Sequence, residues 1–274
     1  MRRFAICLVS TIFAATVFAA APAKIVLVAG TPSHDPHEHE FNAGILLLEK
    51  FLHQNKGVAP VVVKGGWPKD ESVFDGAQAL VFYEDGGSAH PMIQGNRLAV
   101  LGKLMQKGVG LVCLHYAVEA PKEKGGPELL EWIGGYYERP YSQNPINDVA
   151  VTQASPQHPI SRGWKSFQGR DEWYYKIRFR PDDKRVTPIL TTMLPKEAPQ
   201  RETIAWAVER ADGGRGFGFT GGHYHDNWGI AEFRRMIVNA VLWSAKVDIP
   251  RGGAKCDLAP GDLAKNQDEK PPKK

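Results

Sequence analysis

Cysteine is scarce in this sequence, with three residues in 274. Cys7 lies in an N-terminal segment that we expect to be removed, Cys113 lies in an apolar run, and Cys256 lies in a polar tail. We expect Cys113 to be buried and structural and Cys256 to be mobile, so a disulfide between them is not expected. A fold without a disulfide framework must be held by its own apolar core, and about 250 residues are ample for one.

A strong charge of either sign is also missing. The formal net charge is +4, and two of the positive charges are Arg2 and Arg3. Nucleic-acid-binding proteins usually carry a pronounced excess of Lys and Arg, so we expect no nucleic-acid partner. The seven Trp and eight Tyr residues suit a protein that stacks on sugar rings, and they suit an aromatic core equally well.

The longest apolar run covers residues 4–18, which is too short for a membrane span of about 20 residues. It follows the basic start Met1–Arg3 and leads into the small residues 19–23, a pattern typical of a cleaved export signal. We predict a signal peptide over residues 1–23, with cleavage between residues 19 and 24. The protein is then periplasmic or secreted, without stable membrane insertion after cleavage. An uncleaved anchor is the alternative.

The rest of the chain alternates between strand-like and helix-like segments. β-Branched runs predict strands at 24–30, 59–66, 78–87 and 108–117, and apolar residues at helical spacing predict helices at 41–57 and 92–107. This alternation indicates right-handed crossovers and an open, mostly parallel sheet with helices on both faces, which is an α/β fold.

The second half of the chain is predicted less regularly. We expect a short helix at 127–137 and four strands between residues 148 and 210, some of them antiparallel. A strand with a glycine-rich exit follows at 214–225, and an amphipathic helix at 230–246 closes the fold. We predict one domain over residues 24–250. Residues 251–274 are rich in Gly, Lys, Asp and Pro, so we expect a disordered tail.

Histidines and carboxylates follow four of the predicted strands. Ligands of open parallel sheets bind outside the carboxyl ends of the strands, so we expect these side chains to lie along one cleft. The alternative is that each is an ordinary polar loop residue. His115 is the most informative, because a histidine directly after an apolar strand is costly unless it binds something or is satisfied in the core. The residues concerned are His34, Glu84, Asp85, His115, His223 and His225.

The stretch TPSHDPHEHEF, residues 31–41, carries three histidines. We expect His34, nearest to the strand end, to line the cleft, and His37 and His39 to face solvent mostly. Their spacing alone is poor evidence for zinc, because a zinc site needs three or four converging ligands. A second candidate is DEWYY, where Glu172 could enter the cleft with Trp173 and Tyr174 beside a sugar face. A surface strand with an acidic start is the alternative.

These segments occur in the order seen in the ThuA-like (trehalose-utilisation) family, which this chain resembles over roughly residues 24–246. The segments are KIVLVAG followed by the histidine-rich loop, GLVCLHYA, SPQHPI followed by DEWYY, and FGFTGGHYH. The resemblance implies a flavodoxin-like sheet related to class I glutamine amidotransferases. It also implies that His115 stands at the elbow where amidotransferases carry their cysteine nucleophile, so a Cys-dependent amidotransferase is not expected.

The resemblance implies functional roles for His34, His115, Glu172 and His223, with support from His158 in a His-Pro motif. The family is linked to bacterial disaccharide use, often beside sugar dehydrogenases that make 3-keto sugars. The HDPHEHE stretch and the second histidine, His225, depart from the family pattern. These departures put in doubt whether this protein acts on the same substrate as other members of the family.

Two classes of function follow. The first is a sugar-processing enzyme that acts on a 3-keto disaccharide or glycoside by His/Glu acid-base chemistry, and the second is a non-catalytic carbohydrate-binding domain. The cofactor is either a divalent metal such as zinc or none, and a homo-oligomer is left open. The candidate catalytic residues are His34, His115, Glu172 and His223; the candidate metal ligands are His34, His115 and His223; and the candidate substrate-binding residues are Glu84, Asp85, His158, Trp173, Tyr174 and His225.

Overall fold

Eleven strands and four α-helices build the part of the chain described by the computed structural model, residues 21–270. No helix within these residues is long and apolar enough to cross a membrane. In chain order the elements are β1 (Ala23–Ala29), α1 (Phe41–His53), β2 (Val58–Val63), β3 (Ala77–Tyr83), α2 (Arg97–Gln106), β4 (Gly110–Leu114), α3 (Gly126–Trp132), β5 (Gly135–Tyr136), β6 (Ile146–Gln153), β7 (Phe167–Glu172), β8 (Arg178–Phe179), β9 (Val186–Leu194), β10 (Gln200–Glu209), β11 (Arg215–Phe219) and α4 (Ala231–Ser244).

Nine of these strands form one mixed sheet in the order β2-β1-β3-β4-β11-β10-β9-β6-β7. The first five strands are mutually parallel, and each of the remaining pairings is antiparallel. The parallel half has the 2-1-3-4-5 order of flavodoxin-like folds, which confirms the predicted α/β fold class. The carboxyl ends of β1, β3, β4 and β11 therefore lie side by side.

The parallel strands are apolar except for Lys24, Gln78 and Arg215 near their amino ends, because both faces of the sheet are covered. In β1, Ile25 and Leu27 belong to one buried cluster with α1 and α4. Val26 and Val28 belong to another buried cluster with α2 and α3. This arrangement explains why the strands lack the polar alternation of a half-exposed sheet, and it leaves the strand ends as the place for polar side chains.

The C-terminal segment corrects the sequence prediction. Residues 251–270 were expected to be disordered, yet they pack along α1 and α4, and Cys256 is buried rather than mobile. The composition argument failed because polar contacts hold this segment: the buried Asp262 pairs with Lys50, and Asn239 accepts from the amide of Ala254. Cys113 and Cys256 are both buried, and neither forms a disulfide. Residues 271–274 and the predicted signal peptide, apart from residues 21–23, lie outside the described residues.

Asn239 is one of the buried residues that attach this segment. Its Nδ2 donates to the carbonyl oxygens of Ile160 and Arg162 at 2.9 and 2.8 Å, and its Oδ1 accepts from Ala254 N at 2.8 Å. We expect Asn239→Ala to lower the free energy of unfolding by about 3 kcal/mol, because three buried backbone groups lose their partner. Urea unfolding measures this loss.

The matched control is Asn96→Ala. Asn96 is exposed at the start of α2 and makes no side-chain capping bond. Its removal should change stability by no more than about 0.5 kcal/mol. Equal effects of the two substitutions would show that the Asn239 contacts do not hold the segment.

Candidate functional site

Four side chains from distant parts of the chain converge at the carboxyl edge of the parallel strands. His39 comes from the loop between β1 and α1, His115 directly follows β4, Glu172 ends β7, and His223 follows β11. Each offers one nitrogen or oxygen atom, and these four atoms all lie within 4.8 Å of one another. The three histidines are buried and Glu172 is partly exposed, so the cluster is open on the carboxylate side.

The ring nitrogens point at each other. Nε2 of His39 lies 3.1 Å from Nε2 of His115 and 2.9 Å from Nδ1 of His223. Oε2 of Glu172 lies 3.6 Å from the same His115 nitrogen and 3.5 Å from the same His223 nitrogen. A single point between these atoms is therefore within reach of all four residues.

Hydrogen bonds outside the cluster fix which ring nitrogen carries the proton. Nδ1 of His115 donates to the carbonyl oxygen of Thr220 at 2.7 Å, and Nδ1 of His39 lies 3.2 Å from Oδ1 of Asp85, to which it can donate. In the neutral rings both Nε2 lone pairs then point into the cluster. Two lone pairs facing each other at 3.1 Å repel, and a cation between them relieves the repulsion.

The distances fit a tetrahedral metal ion. Zinc binds imidazole nitrogen at about 2.0–2.1 Å, so neighbouring ligand atoms of a tetrahedral site lie about 3.3 Å apart. Four of the six separations between these atoms run from 2.9 to 3.6 Å, close to this value, and the other two are within 4.8 Å. Outer partners are also present: Asp85 supports His39, and Asn144 donates to Oε1 of Glu172 at 3.0 Å. The donor set and its support suit zinc or a similar divalent ion.

Burial sets the protonation of the cluster. It lowers the pKa of His39 and His115 far below the usual range, and it lowers the pKa of His223 from 6.5 to about 4. Burial also raises the pKa of Glu172 to about 7. The imidazoles are therefore neutral at physiological pH, which is the form that binds metals, and the Glu172 carboxyl can gain or lose a proton there.

Two of the histidines are presented by an unusual backbone conformation. The φ angles of His39 and His115 are 47° and 53°, in the left-handed region that residues other than glycine rarely adopt. At His115 this conformation forms the sharp turn directly after β4. The turn directs the imidazole toward the cleft instead of continuing the strand.

Asp171, which the sequence analysis did not identify, holds the loop that carries His223. Its two carboxylate oxygens accept from the amides of Gly222 and His223 at 2.6 and 3.0 Å, and from Nδ2 of Asn227 at 2.9 Å. Burial raises the pKa of Asp171 to about 6. The alternation of side chains along a strand was the signal that could have identified Asp171. Neighbouring residues of β7 face opposite sides of the sheet, so only one of Asp171 and Glu172 can enter the cluster.

The histidine-rich loop corrects a further prediction. His37 is exposed, as expected, but the prediction that His39 faces solvent is wrong, since only 1% of its surface is accessible. The amide of His39 donates to the carbonyl of His223 at 2.8 Å, which turns the loop back into the cleft. His34 lies outside the cluster at its mouth, with 37% of its side chain exposed, and it stacks on His39 with ring centroids 3.5 Å apart. His39 thus stands in the four-residue cluster where His34 was predicted, while His34 forms a second group of possible ligands with His39 and Asp85, whose ligand atoms also lie within 4.8 Å of one another.

Two of the predicted substrate-binding residues adjoin the cluster. The hydroxyl of Tyr174 lies 3.4 Å from Nε2 of His115, and Asp85 contacts His39. Trp173, the neighbour of Tyr174, is fully buried and packs on Phe219, so it offers no face to a sugar.

The other three predicted substrate-binding residues lie elsewhere. Glu84 is fully buried, with Oε1 3.4 Å from Nδ1 of His90, and His225 faces the C-terminal segment through the carbonyl of Leu263. His158 packs on Trp243, beside the amino end of β11, which is the opposite edge of the sheet. A His-Pro motif alone does not reveal its side of the sheet.

The family model for ThuA, described as trehalose utilisation, matches residues 24–244. The chain belongs to the ThuA family. No curated protein sequence matches it. Among solved structures it is similar to a putative ThuA-like protein of Bacteroides uniformis, with 17% identity and a TM-score of 0.61 over 84% of this chain and 95% of that one. A putative ThuA-like protein of Parabacteroides merdae gives 16% identity and a TM-score of 0.59 over 88% and 99%.

A third structure, the carbohydrate deacetylase Agd3, aligns with 12% identity and a TM-score of 0.50. The alignment covers 82% of this chain and 33% of Agd3. At these identities the similarities to all three solved structures demonstrate a shared fold. Membership of the ThuA family, expected from the ordered sequence motifs, is confirmed by the family model.

The lowered pKa of His223 predicts a pH-dependent stability for the metal-free protein. Below pH 6.5 the unfolded chain binds a proton at this residue that the folded protein does not bind until about pH 4. His223 should therefore contribute a loss of stability of about 2 kcal/mol as the pH falls from 7 to 5.

Urea unfolding in a chelator at the two pH values, for the wild type and His223→Asn, isolates this contribution. Glu172 and Asp171 have raised pKa values and contribute the opposite slope in both proteins. The variant should lose less stability on acidification than the wild type. Identical losses would contradict a buried neutral His223.

Proposed function

We propose that this protein is a carbohydrate-active enzyme built around a divalent metal ion, zinc, held by His39, His115 and His223. The observation that carries the proposal is the convergence of three neutral ring nitrogens beside a carboxylate. Support for a carbohydrate substrate comes from the trehalose-utilisation family and from the structural similarity to a carbohydrate deacetylase. We further propose that the protein is exported by its N-terminal signal and acts in the periplasm or outside the cell.

The sugar has room next to the cluster. A cavity of about 410 Å³ lies between the loop after β3 and the turn after β4. Its volume falls within the range of about 300–1,000 Å³ typical of small-molecule sites. Tyr116 is shared by both regions, since it lines the cavity and its ring centroid lies 5.9 Å from that of His39. Tyr116 therefore offers a sugar ring an aromatic face beside the cluster.

Polar groups in this cavity suit hydroxyl groups. Nε of Arg139 lies 3.0 Å from Oε1 of Glu119, and both residues line the cavity. A guanidinium and a carboxylate held side by side can donate to and accept from neighbouring hydroxyls of one sugar ring. The ring would then be fixed with one edge toward the histidines.

The protein's own residues can move a proton at this position. Glu172 lies at the fourth side of the histidine cluster, where its carboxylate can accept a proton from a bound sugar and return it. Asn144 holds Oε1 of Glu172, which leaves Oε2 directed at the cluster. A bound divalent ion would polarise a sugar oxygen as a Lewis acid.

This chemistry suits a 3-keto glycoside. The ketone acidifies the neighbouring C2 proton, so a base beside an electrophilic centre can start the elimination of the aglycone. In this reaction Glu172 takes the C2 proton, the C2–H electron pair forms a C1=C2 double bond conjugated with the ketone, the C1–O bond breaks, and Glu172 returns the proton to the aglycone oxygen. The partner of the protein is thus a small-molecule sugar.

Metal analysis with two ligand variants tests the metal centre. Purified wild-type protein should contain about one zinc per chain. His39→Ala and His115→Ala should lower zinc affinity by more than about 100-fold, since loss of an outer partner alone costs 10–100-fold. His37→Ala, which removes an exposed histidine of the same loop, is the matched control and should bind zinc like the wild type. Wild-type affinity in both ligand variants would exclude this centre.

Glu172→Gln separates binding from catalysis. The amide has nearly the same shape but cannot take a proton, so kcat on a 3-keto glucoside should fall by about 100- to 10,000-fold while zinc remains bound. Elimination can be followed by release of a chromogenic aglycone. Undiminished turnover would remove Glu172 from the mechanism, and saturable sugar binding without turnover in the wild type would favour a non-catalytic carbohydrate-binding domain.

A further inference from the structure

An ion pair is buried directly behind the histidine-rich loop. Nζ of Lys270 lies 3.1 Å from Oε1 of Glu40, and the two side chains are 2% and 1% exposed. Glu40 is the residue after the proposed ligand His39, whereas Lys270 belongs to the C-terminal segment. Removing two charges from water is costly unless their other hydrogen-bonding positions are also satisfied. The surroundings of this pair meet that condition.

Both partners of the pair bind the backbone on either side of it. Oε1 of Glu40 accepts from the amide of His37 at 2.9 Å, and its Oε2 accepts from the amide of Asp268 at 2.7 Å. Lys270 donates to the carbonyl of Glu38 and approaches that of Asp35 at 3.5 Å. The pair thus connects residues 35–40 to residues 268–270.

The loop needs such support because its backbone is strained. His34, His37 and His39 have φ angles of 61°, 68° and 47°. A residue other than glycine is destabilised in this region, because its Cβ comes too close to the following carbonyl oxygen. Strained conformations of this kind persist only where the surrounding structure holds them. Three of them within six residues make the loop dependent on its neighbours.

The C-terminal segment also contacts the second loop that carries a proposed ligand. Nε2 of His225 donates to the carbonyl of Leu263 at 3.1 Å, and the amide of His225 donates to the carbonyl of His37 at 2.9 Å. Residues 263–270 therefore lie against both the His39 loop and the loop after His223. These residues follow the stretch matched by the family model, which ends at residue 244.

We propose that residues 262–270 form a clamp that holds His39 in the orientation required for metal binding, with Lys270 as its positioning residue. The inference rests on the proposed metal centre. Lys270 forms no hydrogen bond or ion pair with the cluster residues and does not line the substrate cavity; its charge reaches His39, and it holds the loop through Glu40 and the carbonyl of Glu38. Loss of the clamp should let the strained loop relax and withdraw Nε2 of His39 from the other ligand atoms.

Zinc and cobalt binding by full-length variants test this clamp. In Lys270→Met, zinc affinity measured against a competing chelator should fall about 10- to 100-fold, as for other outer partners of metal ligands. The visible absorption of the Co²⁺-loaded protein should change as well, because a displaced imidazole alters the coordination geometry. Lys270→Arg keeps the charge and should restore most of the affinity. The control is Lys265→Met, since Lys265 is 64% exposed and pairs with Asp262 within the same segment.

A second readout does not depend on metal. Hydrogen exchange of the backbone amides of His37 and His39 should be faster in metal-free Lys270→Met than in the wild type, while exchange in β4 stays unchanged. If Lys270→Met does not fold, Glu40→Gln removes the same charge pair while keeping an oxygen acceptor, and it should show the same changes.

The outcomes distinguish the two proposals. Wild-type zinc affinity together with unchanged loop exchange in the folded variants would overturn the clamp. If the wild-type protein binds neither zinc nor cobalt, the metal centre is overturned. If Lys270→Met then still accelerates hydrogen exchange in the loop, the clamp holds the loop but has no part in metal binding. Equal weakening by Lys265→Met would show a general loss of stability, which also contradicts a positioning role for Lys270.

Discussion

The site depends on two histidines that are held in left-handed backbone conformations. His115 turns the chain sharply after β4, and His39 turns it back toward the sheet just before α1. Their Nε2 atoms meet at 3.1 Å only because both backbones leave the conformations usual for their residue type. The hydrogen bond from the amide of His39 to the carbonyl of His223, the carboxylate of Asp171 and the buried Lys270–Glu40 pair all maintain this arrangement.

The electrostatics of the cluster follow from its burial. Neutral imidazoles tolerate a dry environment better than charged ones, so the pKa values of the three histidines fall while that of Glu172 rises. These opposite shifts leave a group with several electron pairs and little net charge at neutral pH. In the function proposed here, this burial keeps the imidazole nitrogens unprotonated and therefore able to bind a cation, and it raises the pKa of the Glu172 carboxyl.

Much of the fold could be predicted from the sequence, and so could part of the site. The continuous apolar strands and the order of the ThuA motifs indicated the parallel half, and the strand-end rule correctly located His115 and His223. The burial of His39 in the cluster was not predicted, because the number of residues between β1 and His39 does not show how a loop with left-handed residues turns. The order of the C-terminal segment was not predicted, because charged residues such as Lys270 and Asp262 are usually exposed to solvent. The sequence does not show that Lys270 pairs with Glu40 and Asp262 with Lys50.

The ligands of the cluster are far apart along the chain, and His39 and His223 alone are separated by 184 positions. The closing contacts of the His39 loop come later still, from residues 263–270. A ribosome therefore has to finish nearly the whole polypeptide before the site can assemble. Pairings of this range also form late in folding, because closing long loops is entropically costly.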